Sequence, residues 1–325
     1  MFPIDHTENR NSPSMRYLLF KLASIIIIIL FIPNKNMINE NYIRKNMTYN
    51  IFNNKNNNYE KCFIPPDNTN LKIIHLVMTK FLIDYFFKNN FPKIMHTKEY
   101  VLNGIRVMNN YLFPSLENQS CKKFIWILML GDNENITYIK SLLNFNHSFE
   151  MEIVYNKSIQ SYVKQISKGY DILITSRIDY DDRIYYDAVN DVRKVINLKK
   201  PMFIYGYNRG VNYYEIDKKY YDFDYNFKNE GALGIFLSLV VVLNKVNETI
   251  NIYDIGAHVE VKKKLLNNYK KYGLKELKYE PAYFDSGQPK FVYVRQNYST
   301  VINFSMTAKK RLRHYDFNLD KFYGK

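Results

Sequence analysis

Cysteine is nearly missing from this chain: Cys62 and Cys121 are the only two in 325 residues. That excludes a disulfide-stapled scaffold. With six histidines and no Cys/His ligand spacing, it also excludes a structural zinc site. The two cysteines either bridge in an oxidising compartment or stay free and buried, and their spacing does not choose. Glycine is scarce too, with 11 residues, and Gly231-Ala232-Leu233-Gly234 does not match a phosphate-binding loop. No internal repeat is present. Acidic residues are the minority charge, 31 against 46 Lys plus Arg, for a net charge of +15. The basic residues are scattered apart from Lys262-Lys263-Lys264 and Lys309-Lys310-Arg311. No nucleic-acid motif accompanies them, so they read as a solvated basic surface, and nucleic acid is not an expected partner.

What the chain does have is apolar sequence, 46% of residues, enough for one large α/β domain with additions. Residues 17–33 are intensely apolar, with Ile25 to Ile29 at the centre, and Arg10, Arg16 and Lys21 precede or interrupt them. This reads as an uncleaved type II signal anchor behind a cytoplasmic tail, 1–16. Secretion after signal cleavage is the alternative. Residues 34–70 are rich in Asn and Lys and read as a flexible stem. A catalytic domain, 71–325, would then face the ER or Golgi lumen. Eight Asn-x-Ser/Thr sequons, at Asn46, Asn118, Asn135, Asn146, Asn156, Asn247, Asn297 and Asn303, exceed the roughly three that chance supplies for this composition.

Within 71–325, strand and helix signals alternate. Lys72–Met78, Phe124–Leu130, Met151–Tyr155, Asp171–Ile178 and Met202–Tyr205 read as strands. Helical spacing runs from Val101 to Leu112, stopped by Pro114, and a second helix is expected over Asp187–Leu198. The pattern predicts a doubly wound sheet flanked by helices. Later, Tyr220–Tyr225 alternates as half of an antiparallel hairpin, and Ile235–Leu243 reads as a buried strand. A helix is expected from Asp254 to Lys271.

The densest chemistry lies at Arg177-Ile178-Asp179-Tyr180-Asp181-Asp182-Arg183, directly after the aliphatic run Ile172-Leu173-Ile174. Chemistry in open α/β sheets collects at the carboxyl ends of strands. If the chain stays extended, Asp179 and Asp181 face the same side. Such hard oxygen donors suit Mg²⁺ or Mn²⁺, so Asp179, Asp181 and Asp182 are the candidate metal ligands. The competing reading has Asp181 or Asp182 capping a helix that begins near Arg183. Arg177 either braces this cluster in a salt bridge or grips a diphosphate bidentately.

These residues carry a resemblance. Ile174-Thr175-Ser176-Arg177-Ile178-Asp179-Tyr180-Asp181-Asp182 resembles the Thr-x-Arg-Leu-Asp-x-Asp-Asp signature of a rhamnosyltransferase family within the GT-A glycosyltransferases. His75-Leu76-Val77-Met78-Thr79-Lys80-Phe81 resembles that family's opening strand, with Lys80 in place of Arg. Leu112-Phe113-Pro114-Ser115-Leu116-Glu117-Asn118-Gln119-Ser120, followed by Phe124-Ile125-Trp126, resembles a third segment. Together they span roughly residues 70 to 200. The family's late His-Gly is missing, and Val294–Ser299 matches only loosely.

The resemblance implies a GT-A-like fold and a nucleotide-diphosphate sugar donor held with Mn²⁺ or Mg²⁺. Donor contacts are expected from Thr79, Lys80, Arg177, Asp179 and Arg295, and the acceptor is a glycan or other glycoconjugate hydroxyl. Asp254, His258 and Glu260 lie where such enzymes carry late acidic or His elements and are the candidates for the general base. The competing reading has Asp254 capping a helix. Two other classes stay open: a metal-dependent phosphohydrolase or nuclease, and an inactive membrane-anchored glycan-binding module. A hydrolase needs further Asp, Glu or His close to the first cluster.

Overall fold

A computed structural model describes residues 62–65, 70–83, 97–143, 146–207, 209–224, 235–256, 264, 269–272, 282–284, 288–295 and 314–325. All fall within the unit Lys55–Lys325. The expected anchor at 17–33 and most of the expected stem lie outside these residues. Among the described residues no helix is long and apolar enough to cross a membrane.

The fold is mixed α/β. Its first half runs β1 (Ile73–Phe81), α1 (Lys98–Asn110), α2 (Leu112–Glu117), β2 (Ile125–Leu130), α3 (Ile136–Leu142), β3 (Glu150–Tyr155), α4 (Ile159–Ile166) and β4 (Ile172–Arg177). The second half runs β5 (Arg183–Ile184), α5 (Ala188–Lys194), β6 (Met202–Tyr207), β7 (Arg209–Tyr214), β8 (Lys219–Asp224), β9 (Leu237–Val242), β10 (Ala282–Phe284), β11 (Phe291–Arg295) and α6 (Leu319–Phe322). Seven strands form one sheet in the order β10-β6-β9-β4-β1-β2-β3, and β5-β11-β7-β8 form a second. Strands β1 to β4 are parallel, whereas β9 is antiparallel to both β4 and β6.

The aliphatic runs become the central strands because both their faces are covered. All six residues of β4 and of β9 are buried, while the outer strand β3 exposes Glu150 and Glu152. Charges on an edge strand discourage pairing with another chain. Leu76, Met78, Ile127, Met129, Leu173, Leu239 and Val241 pack one continuous core. One polar row lies on the opposite face of the same strands. His75 Nε2 lies 2.8 Å from Ser176 Oγ, which lies 2.6 Å from Ser238 Oγ.

Three sequence expectations are corrected. Pro114 does not stop helical structure: α1 ends at Asn110, the chain bends at Tyr111 (φ −121°), and Pro114 falls in the first turn of α2. There its missing N–H is one that would have had no partner. No helix begins near Arg183, because Arg183 and Ile184 pair with Val292 and Phe291 as β5. The next helix starts only at Ala188 and ends at Lys194, four residues short of Leu198. Asp254 lies in the turn 252–255; of the helix expected from there to Lys271, residue 264 is helical, Tyr269–Tyr272 form a 3-10 turn, and the rest lies outside the described residues. The cysteines do pair, Cys62 with Cys121.

Candidate active site

In chain order the sheet grows from β1 through β2 to β3 on one side, then returns to place β4 on the other side of β1. Such a reversal opens a crevice at the carboxyl ends of the two strands, where neither connection covers it. Lys80 stands at the end of β1 and Arg177 at the end of β4. Two residues with left-handed backbone flank this edge, Leu82 (φ 55°) after β1 and Phe236 (φ 64°) before β9. Neither is glycine, and such strain concentrates at functional sites.

The acidic motif leaves the strand earlier than its alternation suggests. β4 stops at Arg177, Ile178 N–H donates to Met78 O (3.1 Å), and Asp182 N–H donates to Asp179 O (3.2 Å). Asp179–Asp182 is therefore a turn, with Asp179 at its favoured first position. The expectation that Asp179 and Asp181 share a strand face falls with it. Their proximity comes from the turn instead.

The three carboxylates differ. Asp179 is the most open, with its side chain 41% exposed and Oδ1 at 3.7 Å from an Arg177 guanidinium nitrogen. Asp181 is half-buried, and burial, then the charge of Asp179, push its carboxyl up to about 7. Asp182 is 1% exposed. Its Oδ1 accepts from Val294 N–H at 3.2 Å, and its Oδ2 is buried without a partner. Burial first, and then Asp181 and Asp179, raise its carboxyl well above the usual range. A buried carboxylate oxygen left unbonded is costly unless something cationic completes it.

Arg295, on β11 beside Val294, favours ionisation of Asp181 and Asp182 by its charge. Its guanidinium lies 3.5 Å from the Tyr293 ring and its Nε donates to Asn212 Oδ1 at 3.3 Å. On the other flank, Lys80 Nζ and the Arg177 guanidinium carbon sit 4.3 and 5.2 Å from the Tyr253 ring. Arg177 is 8% exposed and its Nε has no partner. Burial, and next the charge of Arg177, hold the Lys80 ammonium below its ordinary range. Two cations held this close to each other suit an anionic ligand.

The structure thus gathers Lys80, Arg177, Asp179, Asp181, Asp182 and Arg295 around one edge. Thr79 is fully buried and its Oγ1 accepts from Trp126 Nε1 (3.0 Å), so its side chain serves the core. Asp254 is exposed and accepts from Asn251 N–H and Nδ2, both at 2.8 Å, one residue from Tyr253. Burial of its carboxyl nonetheless raises it above its usual range. His258 and Glu260 lie outside the described residues. Tyr253 and Tyr293 escaped the sequence reading, because a lone tyrosine among thirty carries no signal until the fold sets it beside a charge. On the same edge, after β2, lies a cavity of about 570 Å³ lined by Lys98, Val101, Asn133, Glu134, Asn135 and Tyr138.

The site suits a divalent cation that brings much of its own coordination. Among the described residues no three Asp, Glu, His or Cys side chains converge as a ready-made metal cage. Mg²⁺ and Mn²⁺ are commonly held by one or two carboxylates with waters and substrate phosphates. Asp181 and the orphaned Asp182 oxygen fit that mode.

No protein-family model and no curated protein matches the chain. Solved structures do. A Desulfovibrio desulfuricans G20 protein described as a nucleotide-diphospho-sugar transferase matches 66% of this chain and 82% of its own, at 11% identity and TM-score 0.33. The inositol-1-phosphate CTP transferase of T. maritima matches 74% and 97%, at 11% identity and TM-score 0.33. A cytidylyltransferase of Leptospira borgpetersenii matches 70% and 77%, at 13% identity and TM-score 0.32. At scores this low the likeness adds no argument, and the functional reading rests on the chain's own geometry.

Proposed function

We propose that this chain is a GT-A-like glycosyltransferase. It would move a sugar, rhamnose being the one its motifs suggest, from a nucleotide diphosphate to a glycan or other glycoconjugate hydroxyl. The observation that carries the reading is the buried, unpartnered Asp182 oxygen in the turn that follows β4, with Lys80 and Arg177 at the strand ends of the same edge. Acids and bases so placed match the two halves of one ligand, a diphosphate and its cation. A bound Mn²⁺ or Mg²⁺ supplies neutralisation of the negative charge that develops on the leaving diphosphate. Asp181 and Asp182 would hold the cation, with Asp179 toward the sugar or ribose. Lys80 and Arg177 would donate to the diphosphate, and Arg295 would keep the acidic turn ionised. Asp254 is the candidate base on the described chain, since burial raises its proton affinity.

Membrane anchorage with a lumenal catalytic domain belongs to the same proposal. The apolar 17–33 segment, the sequon excess and the Cys62–Cys121 bridge support it. A phosphohydrolase is the weaker reading, because no additional acidic or His group joins the turn among the described residues.

The test is a panel of nucleotide sugars offered to the purified domain with Mn²⁺, with Mg²⁺ and with EDTA. Donor turnover is expected only with metal. Turnover that EDTA leaves untouched rules the metal role out, and release of phosphate in place of sugar transfer favours the hydrolase.

A further inference from the structure

The segment Leu112–Ser120 has no part in the site as described, yet its last two residues reach directly behind it. Gln119 is fully buried. Its Nε2 donates to Ser115 O (2.9 Å) and across the fold to Tyr185 O (2.8 Å), and its Oε1 accepts from Val189 N–H (3.1 Å). Three of the amide's four hydrogen-bonding positions are thereby used. Ser120 N–H donates to Tyr186 O (2.8 Å), while its hydroxyl bonds Asp187 and accepts from Asn190 Nδ2 (2.9 Å). Two consecutive residues therefore grip 185–190: the side chains hold Tyr185, Asp187, Val189 and Asn190, and the Ser120 backbone holds Tyr186. Asn190 Oδ1 in turn accepts from Phe63 N–H, next to the Cys62–Cys121 bridge.

Only Arg183 and Ile184 separate that gripped segment from Asp182, and they form the short, stiff strand β5. Residues 179–182 themselves form a turn with no ladder of their own, and Asp182 is tied to the second sheet through Val294. The position of the Asp182 carboxylate is thus fixed from downstream. Polar groups so held and enclosed admit few alternative positions.

We propose that Gln119 and Ser120 are positioning residues that set the acidic turn in the geometry that accepts a divalent cation. The inference rests on the metal-dependent reading above. Neither side chain touches the ligand; both act through backbone 185–190 and β5.

The experiment compares wild type with Gln119→Met, which keeps the volume and removes the amide, and with Ser120→Ala and Ser120→Thr. Ile127→Val, in the core away from the turn, serves as a control for general destabilisation. Each protein is melted, titrated with Mn²⁺ alone by electron paramagnetic resonance, and followed by amide hydrogen exchange over 179–186. Gln119→Met and Ser120→Ala should weaken Mn²⁺ binding about tenfold or more and speed exchange in that window. Ser120→Thr should restore both, and Ile127→Val should lower the melting temperature while moving neither.

Gln119→Met with wild-type Mn²⁺ affinity and exchange, whatever its melting temperature, overturns the proposal. If Gln119→Met does not fold, the Ser120 pair decides in the same way. If the wild type takes up no Mn²⁺, the proposed function falls. The positioning role then stands on the exchange rates alone, faster exchange confirming it and unchanged exchange sinking it.

Discussion

Asp182 is where stability and activity part company. Its carboxylate is buried, holds one backbone N–H and leaves Oδ2 without a partner. Replacing a poorly compensated buried charge by a neutral isostere is often neutral or stabilising. Asp182→Asn should therefore melt at or above the wild-type temperature in the absence of metal, yet turn over donor at least about a hundredfold more slowly. Calorimetry and donor assays on the same preparation check this, and a variant less stable but fully active would show the side chain to be structural. Asp181→Asn should lose turnover with under about 0.5 kcal/mol of stability, since its carboxylate is half-buried and no part of the core.

His75 gives a pH signature of a different origin. It is enclosed, and burial, with the charge of Arg193 second, holds its imidazole well below the ordinary range. The folded protein keeps it neutral while the unfolded chain protonates it below about 6.5, so stability falls as pH drops through that value. The slope from this one group is about 1.4 kcal/mol per pH unit until the folded state also protonates. His75→Gln should flatten the pH dependence of the urea midpoint between pH 6.5 and 5. An unchanged slope would mean that other groups dominate acid unfolding.

Elements with a continuous apolar pattern were legible in the sequence, and elements made by pairing were not. Strands β1 to β4 sit within a few residues of their expected bounds, and the β7–β8 hairpin and the buried strand β9 were anticipated. Each announces itself locally, through an aliphatic run or an alternation. β5 does not: two residues become a strand only because β11, more than a hundred positions later, lies alongside. The acidic turn was misread for the same reason, since nothing local says that β4 ends at Arg177. The candidate cluster was thus found by residue type, while its geometry and its tyrosines had to come from the fold.

Gly104 shows how an element end reaches the site. A Cβ there would meet the Phe81 ring at 2.5 Å, and Phe81 packs edge-on, with centroids 5.4 Å apart, against Tyr180 of the acidic turn. Gly104→Ala gains up to about 1 kcal/mol of helix propensity but overpacks a tight contact, which typically costs about 1–3 kcal/mol. A net loss of stability is expected in chemical denaturation, with reduced turnover as Tyr180 shifts. A variant as stable as wild type would show that Phe81 has room to yield.

On the scale of the whole molecule, the sheet has a working edge and a blank one. Asn146 precedes β3 and Asn247 follows β9, whose end pairs with the start of β4, so these two exposed sequons lie on the edge opposite the acidic turn, whereas the exposed Asn135 follows β2 on the same edge as that turn. Asn118 is half-buried, and the nitrogen that a glycan would occupy donates to Pro114 O at 2.6 Å. Under the lumenal proposal, peptide mass spectrometry should find glycan at Asn146 and Asn247 and none at Asn118. Glycan at Asn118 with Asn146 and Asn247 bare would reverse this assignment, and no glycan anywhere would remove the lumenal placement. The bridge between Cys62 and Cys121 closes 59 residues and should contribute about 4 kcal/mol by restricting the unfolded chain.

The antiparallel strand β9 carries a consequence for how the chain is made. It fills the place beside β4, yet it leaves the ribosome roughly sixty residues after β4 does. At translation rates of about 5–20 residues per second, β4 waits for several seconds with one aliphatic edge unpaired. During that interval the half-built sheet can zip onto any other extended apolar chain. Yield in expression should therefore depend on elongation speed and chaperone supply between residues 177 and 242, and changes that slow synthesis within that span are the ones to avoid.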